Sequence, residues 1–371
     1  MPSRTPRKTG VALMNGGVEP PEHELAVHQG LAIRIATLLG TRFLDEDESL
    51  HTTDSNLYYL PTQTLIDSNR YRAMGILTVD DFFGGLVDRP FMATKAISHV
   101  LPEQAAAVEG WTPDFARVAG DALLEGFTVF NLADALVAGQ LMLQTAPLRV
   151  KPVRATAGRG QVVIHDRNEL DLVLSQMDEE EVTVWGLVLE ENLSDVQTYS
   201  VGQVQVAGIT ASYFGKQSLT RDNDGIEVYG GSELVVTRGD YSQLLQLNMD
   251  AATRLAVQQA QRYEQAAVQT LDGFLASRRN YDIARGTAHD GRVRSGVMEQ
   301  SWRVGGASSA EVLALEAFAA DPKLNQVIAS THEIFGDCVL PADATLFYQG
   351  NDAAVGPISK YARIRTYDHK Q

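Results

Sequence analysis

Between residues 127 and 213 the sequence switches repeatedly between two apolar patterns, and this alternation narrows the architectures open to the chain. Phe127-Thr128-Val129-Phe130 is strand-like, 132–143 is an Ala/Leu helix, and Leu148-Arg149-Val150-Lys151-Pro152 is a strand again. A glycine-bearing turn, Ala157-Gly158-Arg159-Gly160, leads into the strand 161–164. A helix over 168–176, a strand over 187–190 and a hairpin-like pair over 198–213 follow. A chain that changes between periods of 3.6 and 2 this often must lay helices on sheets, so the class is mixed α+β with several domains. Outside this region the pattern predicts a helix over 22–39 ending at Gly40, and a strand over 57–60 stopped by Pro61. It further predicts a short helix over 92–100 and another opened by Trp111-Thr112-Pro113-Asp114, where proline costs little. A long helix over 251–270 and strands near 280–283 and 297–299 come next. The tail reads as helix (310–329) and strand (344–348), residues 221–232 as a Gly/Asn/Asp-rich break, and 1–20 as a flexible leader.

Composition removes some functions. The 371 residues carry a net charge of −16. Nucleic acid and anionic membrane are polyanions that need a broad basic footprint, so neither is an expected partner. No apolar run approaches the ~18 residues of a membrane span. The N-terminal cations are followed by Asn15, Gly16, Gly17 and Glu19 rather than by an apolar signal core. A single cysteine, Cys338, excludes an intrachain disulfide and a cysteine-cluster metal site. A soluble cytoplasmic protein is the expectation. Lysine is scarce: Lys8, Lys95, Lys151, Lys216, Lys323, Lys360 and Lys370 are all there are. A lysine inside an apolar or glycine-rich segment therefore needs a reason.

Common nucleotide, zinc and esterase motifs are absent: no GxxxxGK[ST], GxGxxG after a strand, HExxH or GxSxG. His332-Glu333 has no second histidine at helical spacing and takes no metal role. The acidic clusters 45–48 and 178–181 read as solvated loops or helix ends. Lys151 ends an apolar strand and faces a glycine-rich turn, a combination suited to phosphate, since ammonium supplies charge and glycine lets amides approach oxygens. A tight hairpin with a solvated lysine gives the same pattern. Asp282 and Glu299 lie on consecutive strands that hairpin geometry can set side by side, where a divalent cation would relieve their repulsion. Two acids on an exposed sheet face would look alike. Arg303 beside Gly305-Gly306 suits an anion clamp or a structural ion pair. Glu190-Glu191-Asn192 closes an apolar strand, and Lys95 sits in the small, apolar segment 91–99, where snorkelling is the ordinary explanation.

The order of these parts resembles the ATP-grasp superfamily over roughly residues 91–305. Asp195-Val196-Gln197-Thr198-Tyr199-Ser200-Val201-Gly202-Gln203 and Glu299-Gln300-Ser301-Trp302-Arg303 resemble an uncharacterised bacterial family within it, over most of the chain beyond the leader. The resemblance implies an N-terminal α/β domain (21–90), a central and lid part (91–195) and a C-terminal part with the metal site (196–371), which clamp a nucleotide between two sheets. It implies that Lys95 and Lys151 contact phosphates of ATP, that Gly158-Arg159-Gly160 forms the lid loop, and that Glu190, Glu191, Asn192 and Leu193 form the adenine hinge. Asp282, Glu299 and Ser301 would hold Mg²⁺ (or Mn²⁺), and Arg303 would face the phosphoryl group or the second substrate. Two positions depart from the superfamily pattern. Ser301 stands where asparagine is usual, and the ribose-gripping acid falls at Gln197 or Thr198. The implied activity is an ATP-dependent ligase joining a small carboxylate to an amine or thiol through an acylphosphate. The departures leave open a nucleotide-binding protein without ligase chemistry, and a small-molecule phosphotransferase remains a further alternative. Polar and aromatic residues within 206–250, among them Tyr213, Lys216, Arg221, Asp222, Asn223 and Tyr229, are candidates for a second-substrate pocket or for ordinary surface loop.

Overall fold

Gly10–Met14 (β1) is the middle strand of a parallel three-stranded sheet in the computed structural model, which describes residues 7–16, 20–45, 48, 56–154 and 160–367. Its neighbours are Phe43–Leu44 (β2) and Leu57–Pro61 (β3). This corrects the leader expected over 1–20: Val11 and Ala12 are buried, in a strand too short for its period to show. Residues 1–6 and 17–19 of that stretch lie outside the described residues. Helix α1 (Glu22–Leu38) follows, burying Leu31, Ala32, Ile35 and Ala36 on one stripe. Leu65–Ile66 (β4) and Gly85–Val87 (β5) form a second small sheet, completed far along the chain by Leu275–Ala276 (β13).

Next come β6 (Gly126–Val129), β7 (Leu148–Pro152), β8 (Val162–Ile164) and β9 (Leu187–Glu191), an antiparallel sheet in the order β6-β9-β7-β8. Helices α2 (Leu132–Leu143) and α3 (Arg167–Leu174) cover one face. Asn131 starts α2 by accepting the amide of Asp134 at 2.7 Å, and Asp166 starts α3 by accepting those of Asn168 and Glu169. The helices meet at Gly139, where a Cβ would lie 2.5 Å from Leu170. Val129, Leu148, Val150, Ile164, Leu187 and Leu189 fill the layer beneath them, each large aliphatic contributing about 1.5–3 kcal/mol when fully buried. Because side chains alternate along β7, burying Leu148 and Val150 under the helices sends Arg149 and Lys151 to the other face.

The largest sheet has eight strands: β10 (Ser194–Val206), β11 (Ile209–Arg221), β12 (Glu227–Arg238), β14 (Arg278–Thr287), β15 (Val293–Ser301), β16 (Gln326–Phe335), β17 (Thr345–Asp352) and β18 (Gly356–Thr366), in the order β15-β14-β10-β11-β12-β16-β18-β17. Two expectations are corrected here. Half of the supposed break at 221–232 belongs to β12 and Arg221 to β11, so only 222–226 form the turn. The helix expected over 310–329 is α5 (Ser308–Ala320) and gives way to β16. Helix α4 (Ala251–Thr270) packs on one face of this sheet, setting Val257, Ala260, Tyr263 and Ala267 against Tyr199, Val201, Tyr281, Ile283 and Val297. On the opposite face, farther along, α5 covers Val204, Val206, Tyr213, Leu234 and Val236, with α1 packed on α5 and β17. Strand alternation therefore turns Asn280 and Asp282 away from α4. Among the described residues no helix is long and apolar enough to cross a membrane.

Candidate functional site

The helix expected over 92–100 is instead two 3₁₀ turns, Pro90–Ala93 and Lys95–Ile97, broken at Thr94, which is extended (φ −130°, ψ 172°). The Thr94 hydroxyl accepts the Ala96 amide at 3.2 Å and starts the second turn. Tight turns splay successive side chains that one α-helical face would have kept together. Lys95 reaches Glu299 on β15 (2.9 Å), Ser98 meets the Tyr263 hydroxyl of α4 (2.8 Å), and His99 reaches Glu190 on β9 (3.3 Å). Gln300 on β15 donates to the Thr94 carbonyl, and Thr128 on β6 to that of Ala96. Residues 94–99 thus strap the four-stranded sheet to the eight-stranded one.

On the four-stranded side, the Lys151 ammonium donates to one Glu190 oxygen while His99 meets the other. All three side chains are buried. Burial alone would raise the Glu190 pKa, but the Lys151 charge and the His99 hydrogen bond hold it below the usual carboxylate range. The expected hinge is therefore committed to structure at the level of side chains. Glu191 accepts from the Glu125 amide (2.9 Å) and pairs with Arg294 of β15 (3.0 Å), Asn192 accepts from Arg149 (2.8 Å), and Leu193 is buried against Leu124 and Ala284. Gln197 accepts the Tyr199 hydroxyl proton. Gly158 and Arg159 of the expected lid loop lie outside the described residues, whereas Gly160 adopts φ +69°, open mainly to glycine.

On the eight-stranded side, Asp282 and Glu299 are direct cross-strand partners, and Asn280 opposes Ser301 two residues along. The four positions share one face. Gln217 donates to Asp282 at 2.8 Å. Burial first, and the Glu299 charge second, push the Asp282 pKa up to about 7. Ser301 Oγ accepts from Arg278 Nη1 at 3.1 Å, and the same nitrogen donates to the Ser301 and Arg303 carbonyls. Arg278 is itself held by Glu311, a fully buried pair at 2.9 Å. The Arg303 guanidinium donates to the Val304 carbonyl (2.9 Å) and lies in the field of Glu299 and Asp282, with burial lowering its pKa. Lys95, Asp282, Glu299, Ser301 and Arg303 therefore converge, and Lys151 and Glu190 converge across the strap. Tyr263 lies close enough to both groups that Glu299 and Glu190 each raise its pKa, beyond the larger effect of burial. Of the residues considered for a second pocket, Tyr213 is buried against Glu311, and the half-buried Tyr229 shares hydrogen bonds with Ser232 and Thr331. Asp222 and Asn223 hold loops, Arg221 bonds the Gly225 carbonyl, and Lys216 is exposed.

Residues 11–362 match a family described as protein of unknown function (DUF3182). The chain belongs to the DUF3182 family. No curated protein matches it. Among solved structures, phosphoribosylamine–glycine ligase from Thermotoga maritima aligns with a TM-score of 0.51 at 12% identity, over 98% of this chain and 93% of that one. D-alanyl-alanine synthetase A from Vibrio cholerae O1 biovar eltor aligns at 0.45 and 10% identity (85% and 98% covered). A RimK domain ATP-grasp protein from Sphaerobacter thermophilus aligns at 0.37 and 12% (84% and 98%). This DUF3182 member has the fold of the ATP-grasp ligases.

The residues of the DUF3182 chain suit a divalent cation of the Mg²⁺ type. Two carboxylates face each other across paired strands, and their repulsion is one reason that Asp282 binds its proton so firmly. Among the described residues no group of three or more His, Cys, Asp or Glu is gathered as a zinc-like site would require. One or two carboxylates, completed by phosphate oxygens, are what Mg²⁺ takes. Sequence reasoning missed His99, Gln217, Arg278 and Asn280. The readable signal was Arg278-Arg279 opening a strand whose Tyr281 and Ile283 face the core, two adjacent cations at the start of a buried segment.

Proposed function

We propose that the protein binds Mg·ATP between its two large sheets and activates a carboxylate for ligation. The observation carrying this reading is the convergence of Lys95, Asp282, Glu299 and Arg303 on one side of the strap, with Lys151 on the other. Asp282 and Glu299 would hold the cation, which supplies charge neutralisation at the transferred phosphoryl group. Lys95 and Lys151 would bind phosphate oxygens, leaving Glu299 and Glu190 to meet the cation and His99. A substrate carboxylate oxygen attacks the γ-phosphorus and ADP leaves. An amine or thiol then attacks the acyl carbon, phosphate leaves, and the nucleophile loses its proton to solvent or a base. Positioning and charge neutralisation dominate phosphoryl transfer, and this set of side chains supplies both. Arg303, half-buried and without a carboxylate partner within 4 Å among the described residues, suits the acylphosphate or the carboxylate that precedes it.

Phosphate and ADP release, measured with panels of small carboxylates and amines or thiols, tests the reading. Turnover that needs Mg²⁺, ATP and both co-substrates supports it, and Asp282→Asn and Glu299→Gln should each abolish that turnover. Undiminished turnover in both variants rejects the metal assignment. A second reading, nucleotide binding without ligation, is favoured by Ser301, whose hydroxyl lies under the Arg278 guanidinium. Stabilisation by Mg·ATP with no ADP release across the whole panel would select it.

A further inference from the structure

The oxygen inventory of the acidic face identifies a third donor beside the carboxylates. Ser301 Oγ accepts from Arg278 Nη1, and a hydroxyl oxygen shared with a guanidinium is a poor place for a second cation. Directly across the ladder from Ser301, and two residues from Asp282 on the same face, is Asn280, 6% exposed. Its Nδ2 donates to Ser200 Oγ at 2.7 Å and to the Tyr213 hydroxyl at 3.0 Å.

The orientation of this amide follows from the chemistry of its neighbours. Tyr213 has one proton, which goes to the carboxylate of Glu311, so its oxygen must accept, and only the nitrogen end of Asn280 can donate to it. Gly202 makes this contact possible: a Cβ there would lie 2.3 Å from the Tyr213 hydroxyl oxygen. Ser200 and Tyr213 both lie on the β10–β11 side and engage the nitrogen end, so the amide oxygen takes no part in these contacts. No described residue donates to it.

Resting on the Mg·ATP reading above, we propose that Asn280 supplies the neutral oxygen ligand of the cation site. The metal set is then Asp282, Glu299 and Asn280, and Ser301 stands outside it, its hydroxyl oxygen accepting from Arg278. The amide carbonyl is a harder and more polar donor than a hydroxyl, and it adds no third negative charge beside two carboxylates already in repulsion.

Water-proton relaxation enhancement by Mn²⁺, on the full chain with and without adenylyl imidodiphosphate, tests the assignment apart from activity. Asp282→Asn and Asn280→Leu should each weaken Mn²⁺ binding at least tenfold, whereas Ser301→Ala stays within threefold of wild type. Asn280→Asp, which keeps an oxygen at the same place, should bind Mn²⁺ at least as tightly as wild type. That variant decides alone if Asn280→Leu lacks cooperative urea unfolding. Wild-type affinity in a folded Asn280→Leu variant, tenfold loss in Asn280→Asp, or tenfold loss in Ser301→Ala overturns the role of Asn280 while leaving the Mg·ATP reading intact. No Mn²⁺ binding by wild type in either arm, or full binding by Asp282→Asn, rejects both.

Discussion

The Lys95 ammonium lies 2.9 Å from Glu299 Oε2, so a strap lysine and a β15 carboxylate neutralise each other beside Asp282. The lysine is 2% exposed along its side chain and the glutamate 30%, which makes the pair only half shielded from water. Lys95→Met keeps the volume but leaves two carboxylates facing each other with less counter-charge. Its melting temperature should fall, and millimolar Mg²⁺ should restore more of that loss in the variant than Mg²⁺ adds to wild type. Scanning calorimetry with and without Mg²⁺ reads both differences, and equal Mg²⁺ effects would contradict the shared site.

The Asp282 carboxyl gives a stability signature with a definite sign. Its pKa is about 7 in the folded chain against an ordinary 3.8. Between those values the folded chain holds a proton that the unfolded chain has lost. Stability therefore falls as pH rises through this window, and the full penalty is present above it. Asp282→Asn should be more stable than wild type by roughly 1–3 kcal/mol at pH 8, allowing for partial access of water. The two should converge near pH 4. Urea unfolding at pH 4, 6 and 8 measures the gap, and a constant difference across that range would contradict the account.

Glu190 anchors two partners in a dry setting, with His99 and Lys151 on its separate oxygens. Glu190→Gln leaves the Lys151 ammonium buried without an anion, a change that costs about 3–5 kcal/mol. Lys151→Met should cost less than Glu190→Gln, because His99 still satisfies one carboxylate oxygen. Urea midpoints at pH 7 compare them, and the reverse order would show that Lys151 is held by something other than Glu190.

Arg278 of β14 and Glu311 of α5 form the most deeply buried ion pair among the described residues, at 1% and 0% side-chain exposure. Either single replacement, Arg278→Met or Glu311→Gln, should cost about 3–5 kcal/mol, and the double variant distinctly less than their sum. Arg278→Met should also raise KM for nucleotide or co-substrate more than Glu311→Gln does, since only Arg278 fixes Ser301 and the Arg303 carbonyl directly. Additive losses in a double-mutant cycle would reject the coupling.

Helices and strands with a clean period were legible in the sequence. The helices Leu132–Leu143 and Ala251–Thr270 fall where their patterns place them, and so does the strand Leu148–Pro152. What failed was governed by partners distant in sequence. Gly10–Met14 is a strand because Leu57–Pro61 lies beside it, and Glu227–Arg238 because β11 and β16 flank it. The segment 94–99 abandons helix because Glu299, Tyr263 and Glu190 draw its side chains in different directions. At the site, lysine scarcity singled out Lys95 and Lys151 as residues needing explanation. Local sequence could not show that Ser301 sits beneath Arg278, because that contact spans 23 residues and passes through Glu311 on a helix.

The strap also determines how relatives of this chain can exchange parts. A chimera cut at the edges of the four-stranded sheet would separate Thr128 and Glu190 from residues 94–99, and moving those residues with the sheet would separate them from Tyr263, Glu299 and Gln300. The smallest transplantable module is therefore discontinuous in the gene. It comprises the sheet, the strap and three side chains 165 to 206 positions downstream, so substitutions in these segments should travel together as the family diverges.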